Sequence, residues 1–304
     1  MSIIKVDCLL PCRLDRYLKR LYPSLTQGII ERALRLKQIM VNSSKVEANL
    51  RVNSGDEIFL DDKLSLPTVV TSNKVFSNAA IILANKLLTE YLIYQNEWFI
   101  AINKPAGLAT QGGSKISLSI DEALQYLNSK GADFKLVHRL DKETSGILLI
   151  AKNYLASAKL TKGFHDKVIQ KTYLAISLGA PPHKEGEISG MIGKNKDGAY
   201  QIVRNDEEDG KLAITRYKLL KKLDNNLSLI EFSPLTGRMH QLRFHAKMLS
   251  CPIIGDPKYG SPESRELSRQ MLLHAKRVIL PADLFGEEII IDTELPKYFN
   301  SKEA

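Results

Sequence analysis

The residues His138-Arg139-Leu140-Asp141-Lys142-Glu143-Thr144-Ser145-Gly146 run directly into the apolar stretch Ile147-Leu148-Leu149-Ile150-Ala151. A short, uninterrupted apolar run of this kind predicts a buried strand, not a helix. Ser145 and Gly146 mark the turn that leads into that strand. Asp141 is therefore predicted to lie in a polar loop at the end of a rigid strand, a place where protein scaffolds usually present catalytic groups.

The composition indicates a globular protein with room for two domains. The chain has 304 residues, 44% of them hydrophobic, which is enough for at least one substantial core. No apolar stretch approaches the roughly 20 residues that a membrane-spanning helix needs, and no secretory signal pattern is visible. We expect a cytoplasmic protein that works as a monomer and does not bind membranes.

The net charge of +9 predicts an anionic partner. Nucleic acid is the leading candidate, although an anionic membrane surface would attract the same charge. The three cysteines form no C-x-x-C pair and have no histidine at ligand spacing, which argues against a disulfide framework or a zinc site.

The excess positive charge is concentrated in residues 13–37, which contain seven basic residues and two acidic ones. Leucines at 14, 18 and 21, and apolar residues at 30, 33 and 34, recur at helical spacing. This pattern predicts two short amphipathic helices with basic outer faces. The candidate RNA-binding residues are Arg13, Arg16, Arg32, Arg35 and Lys37.

Two predicted strands, at 39–42 and 55–60, complete a module over residues 13–61. The module resembles the S4-type RNA-binding domain, in which such helices lie against the RNA backbone. It departs from that family at Gln38, where a glycine usually follows the second helix. The polar stretch that follows, with Pro67 and several serines, predicts a linker over 62–87.

The remaining residues, 88–304, are predicted to form an α+β domain. Its short β-rich runs lie at 98–102, 147–151, 173–178, 215–220, 227–232, 239–244 and 272–280. Helices are expected only around 119–129 and 154–167. So many strands with so few helices favour a large, mostly antiparallel mixed sheet over a doubly wound parallel one.

Four motifs in this domain resemble, in order, those of the RluA-type pseudouridine synthases. They are Asn103-Lys104-Pro105-Ala106-Gly107, His138-Arg139-Leu140-Asp141, Lys171-Thr172-Tyr173, and Leu235-Thr236-Gly237-Arg238-Met239-His240-Gln241-Leu242-Arg243-Phe244-His245. The segments 252–260 and 273–275 extend the likeness. The resemblance implies an RNA uridine isomerase with this sheet architecture.

The resemblance also implies roles for single residues. Asp141 would be the catalytic carboxylate, and Arg238 the basic residue that meets it. Tyr173 would stack on the target uracil. The resemblance does not decide whether it also takes part in proton transfer. Arg139 would fill the space of the flipped base, which suits a planar guanidinium, and Leu242 would pack near the uracil.

Each of these residues also has a purely structural interpretation. Asp141 could form an ion pair that closes a loop, Arg238 could be a surface residue beside a turn, and Tyr173 could be a core residue of a strand. Histidines 138, 240, 245 and 274 show no metal-ligand spacing and are expected to be structural. Isomerisation of uridine changes no oxidation state, so no metal, nucleotide or redox cofactor is predicted.

The favoured hypothesis is a pseudouridine synthase that acts on 23S ribosomal RNA of the large subunit. Gln111-Gly112-Gly113-Ser114 resembles the subgroup that modifies several separate uridines of that RNA. The alternatives are a synthase for another RNA such as tRNA, and a non-catalytic RNA-binding protein of ribosome assembly. A methyltransferase is disfavoured, because no glycine-rich donor-binding loop is evident.

Overall fold

The computed structural model describes residues 2–7, 11–22, 25–61, 75–113, 116–194, 200–202 and 210–299. The chain divides into two compact units, Met1–Val75 and Phe76–Ala304. Predictions for residues 62–74 and for Ser114 lie outside the described residues. Among the described helices, none has the length and apolar character needed to cross a membrane.

The first unit surrounds a small core with two helices and five short strands. Its elements are β1 (Ser2–Lys5), β2 (Cys12–Arg13), α1 (Leu14–Leu21), α2 (Gln27–Arg35), β3 (Ile39–Val41), β4 (Arg51–Val52) and β5 (Glu57–Leu60). Antiparallel strands in the order β1-β5-β3 form one sheet, and β2 pairs with β4. The predicted module began at Arg13. Strand β1 lies before that residue but pairs with β5, so it belongs to the same unit.

The apolar stripes of both helices face this core, as their spacing predicted. Leu14 and Leu18 of α1 and Ile30 of α2 are fully buried. Leu21 is the exception, with 41% of its surface exposed. Helix α2 ends without a glycine because Lys37 adopts the left-handed conformation (φ 57°), and the Gln38 amide then donates to the Ala33 carbonyl.

One of the predicted RNA-binding residues, Arg13, is held within this unit. Its guanidinium donates to both oxygens of the buried Asp15, at 3.1 and 2.7 Å. Hydrogen bonds from Arg13 lower the pKa of Asp15, against the opposing effect of burial. Arg16, Arg32, Arg35 and Lys37 are exposed, so their charges are accessible from solvent.

The second unit is built on a large sheet. Its strands are β6 (Leu92–Gln95), β7 (Phe99–Lys104), β8 (Lys135–Leu136), β9 (Ser145–Ala151), β10 (Gln170–Leu178), β11 (Glu185–Lys194), β12 (Tyr200–Ile202), β13 (Lys211–Leu223), β14 (Leu227–Pro234), β15 (Leu273–Leu280) and β16 (Ile289–Asp292). Its helices are α3 (Asn78–Leu88), α4 (Ile120–Ser129), α5 (Tyr154–His165), α6 (Gln241–Met248), α7 (Pro262–Glu266) and α8 (Ala282–Phe285).

Nine of the strands follow the order β12-β11-β13-β14-β10-β15-β9-β7-β6, while β16 pairs with β15 and β8 with β9. Among the described strands, β15 and β9 pair in parallel and the other pairs of this sheet are antiparallel. The prediction of a large, mostly antiparallel mixed sheet is therefore confirmed.

The parallel junction depends on Gly146. Ser145 pairs with His274 and Gly146 with Ala275. Gly146 has a φ of +105°, and a Cβ atom there would lie 2.3 Å from the Ala275 carbonyl oxygen. Only glycine allows the two backbones to come this close, and the strand that follows the Asp141 loop is fixed in the sheet by this contact.

The described part of this unit contains six helices, where only two were predicted, and two predicted segments are wrong. Part of the predicted linker, residues 78–87, belongs to helix α3, which begins at the Ser77 cap and packs Leu83 and Leu87 into the core. The predicted strand at 239–244 is largely helix α6. Residues 241–246 of α6 are all buried, so this helix lacks the polar face that normally reveals a helical period.

Candidate active site

Asp141 lies in the loop before β9, at the wall of a cavity of about 800 Å³. Its side chain is 19% exposed and accepts a hydrogen bond from Arg243 Nη1 at 3.3 Å. Among the described residues that line the cavity, Asp141 is the one carboxylate. The predicted loop position of Asp141 is therefore confirmed, and its carboxylate is accessible from the cavity.

Arg243 is itself fixed by a second carboxylate behind it. Asp256 accepts from Arg243 Nε at 2.8 Å and from Nη2 at 2.7 Å, and from the amides of Lys258 and Tyr259. Burial opposes ionisation of Asp256, but the hydrogen bonds from Arg243 hold its pKa below the usual range. The bidentate pair leaves one guanidinium nitrogen directed at Asp141.

The prediction that Arg238 meets Asp141 is wrong. Arg238 is exposed, and its Nε donates to the Leu212 carbonyl at 3.0 Å. The basic partner is Arg243, five residues further along the same motif and on helix α6. A Cβ atom at Gly237 would meet nothing within 4 Å, so a close backbone approach within the protein does not explain that glycine.

Gln241 positions the loop that precedes α6. Its Oε1 accepts from the Thr236 hydroxyl at 2.7 Å and from the Arg238 amide at 2.9 Å. Its Nε2 donates to the Ile214 carbonyl and the Thr215 hydroxyl, both at 2.9 Å. All the hydrogen-bonding groups of this buried amide are thus used, so the loop is fixed against β13. Sequence reasoning did not identify Gln241 as a positioning residue.

The opposite wall of the cavity comes from β10 and the end of α5. Tyr173 and Lys171 of β10 and Phe164 of α5 line it. Burial, and secondarily the charge of Asp141, raises the pKa of the Tyr173 hydroxyl well above its ordinary value. The phenol is therefore a neutral group at physiological pH.

The other two predicted site residues also line the cavity. Leu242 is 7% exposed and belongs to the core beside it. Arg139 is exposed, and Nη1 makes one long hydrogen bond of 3.4 Å to Gln111 Oε1. The structure thus brings Asp141, Tyr173, Leu242, Arg139 and Arg238 to one cavity, with Arg238 at its rim.

A buried lysine of the first motif fixes the Asp141 loop from below. Lys104 is fully buried, and its ammonium donates to the carbonyls of Pro105 (3.0 Å), Leu108 (2.8 Å) and Lys142 (3.1 Å). Burial lowers its pKa to about 7. The motif containing Lys104 was recognised in the sequence, but this contact to the Asp141 loop was not.

All four of the noted histidines have hydrogen-bond partners, and that of His240 Nδ1 is the Tyr259 hydroxyl at 3.0 Å. His138 Nε2 accepts from the Leu149 amide at 2.8 Å, while His245 and His274 pair with Thr215 and Ser145, each at 2.8 Å. His138 lies in a loop, His245 in helix α6 and His274 in strand β15. The described residues contain no group of three or more metal-ligating side chains.

Known proteins match this chain in sequence and in structure. The model of the family described as RNA pseudouridylate synthase matches residues 98–248. A ribosomal large subunit pseudouridine synthase C from Rickettsia bellii is 59% identical over 98% of this chain and 99% of its own. The chain belongs to the RNA pseudouridylate synthase family. The predicted enzyme class, an isomerase of RNA uridines, is confirmed.

More distant relatives also match most of the chain. A ribosomal large subunit pseudouridine synthase C from Vibrio vulnificus is 31% identical, covering 88% of this chain and 84% of that protein. The solved structure of human RNA Pseudouridylate Synthase Domain Containing 4 superimposes with a TM-score of 0.61 at 28% identity, over 74% of this chain and 95% of that one. The fold of the second unit is therefore the pseudouridine synthase fold.

Proposed function

We propose that this pseudouridine synthase modifies uridines of large-subunit (23S) ribosomal RNA and uses Asp141 as its catalytic residue. The observation that carries the proposal is the position of Asp141, the one carboxylate on the described cavity wall, against the buried Arg243. Support for the substrate comes from the names of the Rickettsia and Vibrio relatives. The monomeric state and the cytoplasmic location stay predictions.

The reaction breaks the bond between ribose and a base nitrogen and remakes it to a base carbon. It needs a carboxylate at the ribose, acting as nucleophile or as base, and a cavity that retains the detached uracil. Arg243 donates a hydrogen bond to the Asp141 carboxylate and holds it at the cavity wall. Tyr173 and Leu242 supply walls against which a planar base can pack.

A uridine in folded RNA must leave its stack before it can reach Asp141, at a cost of a few kcal/mol. We infer that the Arg139 side chain enters the space that the flipped uridine leaves in the RNA. It is exposed at the cavity rim, and its single long hydrogen bond to Gln111 leaves the guanidinium free to reorient. A planar guanidinium can stack on bases and donate hydrogen bonds there.

The first unit serves, in this proposal, as an S4-like RNA-binding domain. Its helices α1 and α2 pack their apolar faces into the core and leave Arg16, Arg32, Arg35 and Lys37 exposed. Such a basic surface suits contacts to phosphates, which position the enzyme without reading bases.

The experiment that tests the proposal is pseudouridine mapping by carbodiimide labelling and primer extension on unmodified ribosomal RNA. Wild-type protein, Asp141→Asn and Glu143→Gln are compared. Glu143 is the matched control, because it carries a carboxylate in the same loop and does not line the cavity. We expect new stops in large-subunit RNA with wild type and Glu143→Gln, and none with Asp141→Asn.

Two results would change the proposal. Stops only in small-subunit RNA or tRNA would overturn the substrate assignment and keep the enzyme class. Full activity of Asp141→Asn would overturn the catalytic assignment, provided that the variant binds RNA as tightly as wild type.

A further inference from the structure

A lysine with no hydrogen-bond acceptor among the described residues lies on the cavity wall beside Tyr173. Lys171 precedes Tyr173 by two positions in β10, and both residues line the cavity. The Lys171 ammonium lies 5.7 Å from the centre of the Phe164 ring. Phe164 therefore supports the side chain from the α5 side.

The described part of the protein does not neutralise the charge of Lys171. Among the described residues it has neither a hydrogen-bond acceptor nor an acidic partner. Burial lowers its pKa, and no carboxylate opposes that effect. Its charge also adds to the effect of burial in lowering the pKa of His138, which places a positive field at this end of the cavity.

Two other lysines of this unit, the buried Lys104 and the partly buried Lys159, behave differently. Lys104 satisfies its ammonium with three carbonyls. Lys159, which lies over the Trp98 and Phe285 rings, donates to the Leu284 carbonyl at 3.1 Å. An ammonium that is partly removed from water costs free energy unless an acceptor meets it, so the Lys171 position favours an anion from outside the protein.

Asp141 is not that anion, because Arg243 already contacts it. In an RNA substrate the available anions are the phosphodiesters on either side of the target nucleotide. We propose that Lys171 binds one of these two phosphodiesters and thereby anchors the flipped uridine beside Asp141. This inference rests on the proposed function, since it assumes that a uridine of RNA enters the cavity.

The proposal assigns Lys171 to binding and not to chemistry, since neither phosphodiester changes in the reaction. Loss of the contact weakens the ground state and the transition state equally, which raises KM and leaves kcat unchanged. We expect Lys171→Met to raise KM about ten-fold, the effect of losing one hydrogen bond to a charged group. Lys171→Arg keeps the charge and should restore most of the affinity.

The experiment uses the full chain and a short RNA that contains one mapped target uridine. Three RNAs are compared: unmodified, with a neutral methylphosphonate 5′ of the target, and with one 3′ of it. Wild type, Lys171→Met, Lys171→Arg and the control Lys159→Met are tested on each. Lys159 is the matched control because it also lies over aromatic rings but does not line the cavity.

We expect one of the two methylphosphonates to raise the KM of wild type and of Lys159→Met about ten-fold, and to have no further effect on Lys171→Met. The sensitive position identifies the phosphodiester.

Equal sensitivity of wild type and Lys171→Met would overturn the proposal, as would a wild type that tolerates both methylphosphonates. The second result needs no variant, so it holds even if Lys171→Met fails to fold. If wild type converts no RNA at all, the proposed function fails instead.

Discussion

Arg243 donates to Asp141 at 3.3 Å from one nitrogen and is held from behind by Asp256 through two shorter hydrogen bonds of 2.8 and 2.7 Å. The candidate catalytic carboxylate therefore depends for its position on a buried ion pair that it does not itself form. The anchoring pair lies wholly inside the protein, with side-chain exposures of 6% for Arg243 and 1% for Asp256.

The first prediction concerns this anchor. Asp256→Asn should lower kcat at least about ten-fold, because Arg243 loses a bidentate charged partner and no longer holds Asp141 in one geometry. It should also lower the free energy of unfolding by about 3–5 kcal/mol, the cost of removing one partner of a buried ion pair. Single-turnover kinetics and urea unfolding measure the two effects.

Asp292→Asn is the control, since Asp292 pairs with Arg277 at 2.7 Å but is 35% exposed. That change should cost no more than about 1 kcal/mol and leave kcat unaltered. If Asp256→Asn folds and turns over at the wild-type rate, Arg243 does not position Asp141.

The second prediction concerns the parallel junction of β9 and β15, which follows the Asp141 loop. Gly146→Ala places a Cβ atom 2.3 Å from the Ala275 carbonyl oxygen, at a φ of +105°. We expect a loss of at least about 3 kcal/mol of unfolding free energy, since a steric clash adds to backbone strain. Urea unfolding, or the soluble yield of the variant, measures it.

Gly190→Ala in β11 serves as the control. Its Cβ would meet only Met248, at an ordinary contact distance of 3.7 Å. Comparable destabilisation by both changes would mean that loss of glycine in a strand, and not the β9–β15 contact, determines the effect.

The sequence predicted the parts of the fold in which a pattern has one physical interpretation. The 147–151 run could only be a buried strand, and it forms most of β9. Helix α6 could not be predicted by period, because residues 241–246 are buried on every side. Its polar members are satisfied by partners distant in sequence, such as Asp256 for Arg243, which no local pattern contains.

The site residues were predicted from motifs. The prediction of the basic partner of Asp141 was wrong, because the motif contains two arginines that could fill that role. Arg238 and Arg243 lie in the same stretch, and only the fold decides which of them is buried against Asp141. Helix α3, in contrast, had a usable local signal. Ser77 caps an apolar run, a typical helix start, but the neighbouring polar stretch dominated the interpretation of that segment as linker.

The third prediction is acid sensitivity through His138. Burial, with a contribution from Lys171, lowers its pKa to about 3, while an unfolded histidine titrates near 6.5. The unfolded chain therefore binds more protons between these values, so stability is complete above about pH 6.5 and falls as the pH drops toward 3. One such histidine costs about 2 kcal/mol between pH 7 and pH 5.

Urea unfolding of wild type and His138→Gln at pH 7 and pH 5 measures this contribution. The variant should be less stable at pH 7, because the Leu149 amide loses its acceptor. It should also lose less stability than wild type between the two pH values. An identical pH dependence in both proteins would show that His138 does not titrate on unfolding.

The fourth prediction separates the basic residues of the first unit by their partners. Arg32→Glu with Arg35→Glu should raise the dissociation constant for RNA at least ten-fold and flatten its dependence on salt, because two exposed cations of α2 are reversed. Arg13→Gln should change the affinity less than about two-fold at 0.15 M salt, since Asp15 already neutralises Arg13. Fluorescence anisotropy across a salt series measures both.

Arg13→Gln should instead lower the melting temperature, because it leaves the buried Asp15 without its charged partner. If Arg13→Gln weakened RNA binding as much as the double reversal, without loss of stability, the RNA-binding surface would centre on α1 and not on α2.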